Sequence, residues 1–113
     1  MKRAIGARAR LDFRIIVSAS GDQFGGGAQH RYRRLLEQAM DDVVADPLRA
    51  GVRAAGPEGL WLYHTRHARP RVPPKQRIAR PRHLIVFRVV GDEVQILRVL
   101  HDAMDLPIRL EDL

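Results

Sequence analysis

The sequence predicts an α+β domain: an N-terminal strand, then an antiparallel two-helix hairpin, packed on a small antiparallel β-sheet. Three observations predict it. Tyr32, Leu35, Leu36, Ala39, Met40, Val43 and Val44 fall at i, i+3, i+4, i+7, i+8, i+11 and i+12, one continuous apolar stripe of helical period. After Gly51 the apolar period changes to that of strands. Gly91-Asp92 then joins two β-rich runs, 83–90 and 93–101, as a two-residue hairpin turn. The chain reads as a single domain over 1–113, with the helical hairpin at about 9–46 and the sheet at about 60–101.

Residues 2–6 are long enough for a short edge strand. From Ala9 a helical pattern sets Phe13, Ile16, Val17 and Phe24 near one face. Gly25-Gly26-Gly27 breaks it, because each glycine costs roughly 1 kcal/mol inside a helix. The run is a turn or a weak helix start, and no Lys-Ser/Thr pair follows to make it a phosphate loop. The second helix carries the stripe and stops at Asp46-Pro47, since a residue before proline avoids the helical region. Its charges run against the macrodipole. Arg31, Arg33 and Arg34 crowd its start and Asp41, Asp42 and Asp46 its end, at a cost of a few tenths of a kcal/mol each. Residues 60–65 form an aromatic-rich strand. With a regular turn at 91–92, residues whose numbers sum to 183 face each other across the last hairpin. One face then carries Ile85, Phe87, Val89, Val94, Ile96 and Leu100, which should cover the helices. The other carries Arg88, Glu93 and Gln95 near the turn and the apolar strip Leu84, Val86, Leu97 and Val99 beyond it. No helical layer is left over for that strip, so a partner chain is expected to cover it.

At this length the chain supports one core, and 45% hydrophobic with 29% charged residues is ordinary for a globular protein. The absence of cysteine removes disulfides and thiolate metal sites and fits a reducing cytosol. No window approaches the roughly 18 apolar residues of a membrane span. The arginine-rich start resembles a targeting peptide, but Asp12 and Arg14 interrupt any apolar region, and the segment serves better as a strand and helix. The net charge of +7 is local. Between His64 and His83 there is no acid, and Arg66, Arg69, Arg71, Lys75, Arg77, Arg80 and Arg82 supply the whole excess. Pro70, Pro73, Pro74 and Pro81 make this 66–82 arm a stiff loop. Two readings of this segment stand side by side: base composition, with arginine collecting in an exposed loop, or an arm that docks on nucleic acid or on an acidic protein.

Catalytic groups are few. Ser18, Ser20 and Thr65 sit in no nucleophile motif. His64 and His67 are three apart on an expected strand and face opposite sides, and no ligand spacing for a metal is present. Neither metal nor cofactor is expected. Arg98 and His101, near the end of the last strand, are the remaining pair: an imidazole that moves a proton beside a guanidinium that binds phosphate is the minimum for RNA cleavage. The alternative is structural, with Arg98 paired to Asp102 or Asp105 and His101 capping the strand end.

Ala9-x-x-Asp12-Phe13-x-x-Ile16, Phe24-Gly25, Arg31-Tyr32, Leu35-Leu36, Ala39 and Asp46-Pro47 resemble the helical hairpin of the ParE/RelE toxins of type II toxin–antitoxin (plasmid stabilization) systems. Tyr63-His64-x-Arg66-His67, Pro81-Arg82-His83, Phe87-Arg88-Val89 and the run from Ile96 to Leu106 look like the sheet and C-terminal signature. The resemblance is closer to ParE. It implies a cytoplasmic toxin in a hetero-oligomer with a cognate ParD/RelB-like antitoxin, whose tail would lie on Leu84, Val86, Leu97 and Val99. ParE-type toxins inhibit DNA gyrase by binding, which would assign Arg66, Arg69, Arg71, Arg77, Arg80 and Arg82 to the target and leave no catalytic residue. RelE-type toxins cleave mRNA on the ribosome, for which Arg98 and His101 would serve. The tyrosine usual near the end of those chains is missing, since none follows Tyr63.

Overall fold

The computed structural model describes residues 1–56, 59–104, 106–110 and 113. Strand β1 (Lys2–Ile5) leads into helix α1 (Ala7–Phe24), which turns at Gly25 into α2 (Gly26–Ala45). Strands β2 (Val52–Ala54), β3 (Trp61–His64), β4 (His83–Val90) and β5 (Glu93–His101) follow, and a short helix α3 (Leu106–Leu110) is the last element. The five strands lie in the order β1-β5-β4-β3-β2. The α+β class, the edge strand, the helical hairpin and the last β-hairpin are as expected.

Gly25 joins the helices by adopting φ +89, a left-handed value open to glycine at little cost. The apolar stripe of α2 meets the sheet: Leu35, Leu36, Ala39, Met40 and Val43 are buried with Tyr63, Ile85, Phe87, Val94 and Ile96. Phe13, Ile16 and Val17 of α1 join this core, whereas Phe24 does not and is 73% exposed. It is the last residue of α1, where helical phase alone places no partner beneath it.

Two corrections concern the sheet. It is mixed, because β1 runs parallel to β5, from Lys2↔Glu93 to Ile5↔Ile96. A strand that leaves through a helix is not bound by a tight turn to antiparallel pairing. The hairpin register is also irregular. Val89↔Val94 and Phe87↔Ile96 follow the expected sum, but Val86 then faces Arg98, and Leu97 is the extra residue of a bulge. A one-residue insertion reverses the inside–outside alternation beyond it. Val99 therefore enters the helix-side core, and Leu100 turns to the opposite face. That second face is not bare. Leu84, Val86 and Leu100 pack there with Leu60 and Leu62, under Leu106 and Leu110 of α3.

Candidate binding surfaces

Of the strip expected to receive a partner, Leu84 and Val86 are already buried by the chain itself, Val99 lies on the other side of the sheet, and Leu97 alone is only half-buried. The five-residue α3 carried no strong helical signal. Its apolar residues cover the face only because the chain doubles back past β5.

The arm is an ordered platform. It winds through three 3₁₀ turns, Thr65–His67, Arg69–Arg71 and Pro74–Gln76, and plants Ala68 and Val72 in the helix-side core. Most of its arginines hold it together. Arg69 Nε donates to the Ile78 carbonyl at 2.7 Å, and Arg77 donates to those of Val72 and Pro70 at 2.8 and 2.9 Å. Arg82 pairs with Asp102 at 2.9 Å. Arg71 makes a bidentate pair with Asp42, Nε lying 2.8 Å from Oδ1 and the second guanidinium nitrogen bonded to Oδ2. Arg66, Lys75 and Arg80 make no side-chain hydrogen bond or ion pair among the described residues.

Asp42 explains part of the reversed charge on α2. Its buried carboxylate also accepts from Tyr63 Oη at 2.8 Å and Gln38 Nε2 at 2.9 Å, and Arg49 stands at 3.7 Å. Burial pushes this carboxyl up, but the hydrogen bonds from Arg71, Gln38 and Tyr63 outweigh it and hold it below its ordinary range. Burial and the same carboxylate push the Tyr63 hydroxyl up to about 12. The reversed charges were visible in the sequence; that one of them is the arm's anchor was not.

Arg98 and His101 do not form a pair. Arg98 is joined to Asp12 of α1, Nε to Oδ2 at 2.7 Å, and the same Oδ2 accepts from the Val99 amide at 3.0 Å. The expected partner Asp102 belongs instead to Arg82 and His64, and Asp105 lies outside the described residues. The bulge moves His101 opposite His83, where their rings meet edge to face at 5.2 Å. Tyr32 Oη lies 3.1 Å from His83 Nδ1, the two sharing one hydrogen bond. His101 Nδ1 accepts from the Ala103 amide at 3.0 Å. The His101 imidazole, when neutral, therefore carries its proton on Nε2. Burial, then the neighbouring His101, push His83 down to about 4, so it is uncharged at neutral pH. His64 accepts from the Arg66 amide through Nδ1 and donates from Nε2 to Asp102, which Arg82 first and His64 next hold down at about 2. No group of metal-ligating side chains occurs among the described residues, and none of their helices is long and apolar enough to cross a membrane.

A family model described as the ParE toxin of the type II toxin–antitoxin system parDE matches residues 5–106. No curated protein matches. Among solved structures, a chain of the "Chromosomal ParDE TA system from P. aeruginosa" superposes with a TM-score of 0.67 at 20% identity, covering 89% of this chain and 95% of that one.

Proposed function

The chain belongs to the ParE toxin family of type II toxin–antitoxin systems, and from that premise we propose that it is a cytoplasmic toxin that inhibits DNA gyrase by binding and is silenced in a hetero-oligomer with its antitoxin. The observation that carries the binding reading is the arm. Its fold is held by four of its own arginines, so the cations left over, Arg66, Lys75 and Arg80, are presented on a rigid surface that loses little entropy on docking. This narrows the target set: Arg69, Arg71, Arg77 and Arg82 act by holding the arm's shape. Leu84, Val86 and Val99 are spent within the chain, and Leu97 packs half-buried against the second core, so that face offers the antitoxin little apolar surface.

Purified chain should block gyrase supercoiling and accumulate cleaved DNA, and the Arg66→Gln/Lys75→Gln/Arg80→Gln variant should lose at least tenfold in potency while remaining folded. Full potency in that variant overturns the role of the arm; unaffected gyrase overturns the target.

The second reading, a RelE-like ribosome-dependent mRNA endoribonuclease, rests on the His83–His101 pair, an acid–base couple in principle. Its guanidinium is committed elsewhere, since Arg98 is tied to Asp12. Mapping transcripts after induction separates the two. Sharp cuts that vanish in His101→Ala and Arg98→Ala establish the nuclease, and uncut transcripts with inhibited gyrase establish the poison.

A further inference from the structure

Between α1 and the open ends of β4 and β5 runs a groove of two lobes, about 300 and 180 Å³, which share Ile15, Ile16, His83 and His101. The larger lobe is at the small end of ligand-pocket sizes. It accommodates a few side chains and excludes a folded domain. Its rim is apolar and wet: Phe24 is 73% exposed, Ile15 57% and Met104 39%. Leu11, also exposed, lies one turn before Ile15 on the same helix. These four are half of the large apolar side chains exposed among the described residues, gathered at one place.

Within the mostly apolar groove one polar group is unsatisfied. Ser20 is 6% exposed, and its hydroxyl has no hydrogen-bond partner among the described residues. A buried hydroxyl left unpaired costs about 1–3 kcal/mol, which a partner's oxygen would recover. His101 Nδ1 accepts from the Ala103 amide, which leaves its Nε2–H as a donor, and beside it His83 Nδ1 shares a hydrogen bond with Tyr32 Oη. The charges around the groove cancel in pairs, Arg98 with Asp12 and Arg82 with Asp102, and His83 is neutral. Such a site offers hydrogen-bond donors among charges that are already paired. It selects an apolar group bearing a neutral oxygen over a phosphate.

We propose that this groove seats the antitoxin through a short apolar segment whose aliphatic side chains cover Ile15, Phe24 and Met104 while one amide oxygen accepts from the Ser20 hydroxyl or the His101 Nε2–H. The inference rests on the toxin–antitoxin reading. It relocates the partner from the sheet face that the chain itself covers to the place where apolar surface remains open.

The test titrates the full chain with its antitoxin calorimetrically. Ile15→Asp/Phe24→Asp changes two exposed residues, so the fold should persist by circular dichroism while affinity falls at least a hundredfold. Val90→Asp, at an exposed apolar residue outside the groove, should leave affinity within twofold. Ser20→Ala should weaken the complex about fivefold while leaving the free chain as stable or more so, because the hydroxyl is unpaired only in the free state. In ¹⁵N spectra the His83 and His101 Nε2 signals should shift on adding antitoxin. Unchanged affinity in the double variant with unmoved imidazole signals overturns the groove and leaves the toxin–antitoxin reading intact. Wild-type chain that fails to bind the antitoxin at all overturns that reading instead. Imidazole shifts produced by a short RNA and not by the antitoxin would overturn the groove in favour of the nuclease.

Discussion

Replacing Asp42 by Asn removes one negative charge at nearly constant shape, and its consequence is set by what surrounds the carboxylate. Arg71, Tyr63 and Gln38 all donate to it, and Arg49 lies at 3.7 Å. Removing one partner of a buried ion pair costs about 3–5 kcal/mol, because the other charge is left without compensation. The Arg71 side chain is 39% exposed and recovers water, which lowers the expectation to about 2–3 kcal/mol. At roughly 4 °C per kcal/mol for a domain of this size, Tm should fall by about 8–12 °C. Urea unfolding at pH 7 measures the loss directly. Hydrogen exchange locates it: the Arg71 and Val72 amides, bonded to the Ala68 and Arg69 carbonyls, should exchange faster as the arm loosens. Tyr63, held at about 12 by burial and by Asp42, should titrate nearer 10 in the variant. The sign with pH follows from the lowered carboxyl. Its stabilisation is present above the unfolded carboxylate value of about 3.9 and is lost as pH falls through the folded one. A loss under 1 kcal/mol with unchanged arm exchange would refute Asp42 as the anchor.

Three further outcomes follow from the same structure. Val99→Asp should unfold the chain, at about 4 kcal/mol or more for a charge buried in the helix-side core, whereas Leu97→Asp at the bulge should cost under about 1 kcal/mol; equal urea midpoints for the two would refute the bulge. His83, at about 4 in the fold against roughly 6.5 unfolded, leaves stability complete above pH 6.5 and removes up to about 3 kcal/mol as pH falls toward 4; unfolding midpoints compared at pH 7 and 4.5 should show this slope, and His83→Asn should flatten it. Gly51→Ala should cost about 1–3 kcal/mol, since φ is +99 and a Cβ would sit 2.8 Å from the His67 ring; a variant as stable as the parent in thermal melts would show that turn to be unstrained.

Local pattern was enough for the hairpin of helices, because the stripe from Tyr32 to Val44 has one period and one place to go. It was enough, too, for the turn at 91–92, which needs only Gly91 in a left-handed conformation, φ +61. The resemblance in the C-terminal run carried the family. The binding surfaces were not legible in the same way. The alternation that places Val99 and Leu100 depends on one extra residue at Leu97, and a bulge forms where β5 meets both β4 and the Asp12 carboxylate on its Val99 amide. No short window contains that condition. Arg71 and Arg66 look alike in sequence. Asp42, 29 positions from Arg71, ties one of them to the fold and leaves the other without an ion pair among the described residues. Periodicity decides which face of an element is apolar. Which charges cancel, which hydroxyl stays unpaired and which apolar face remains open are settled by contacts between residues far apart in the chain, and only the folded chain brings those residues together.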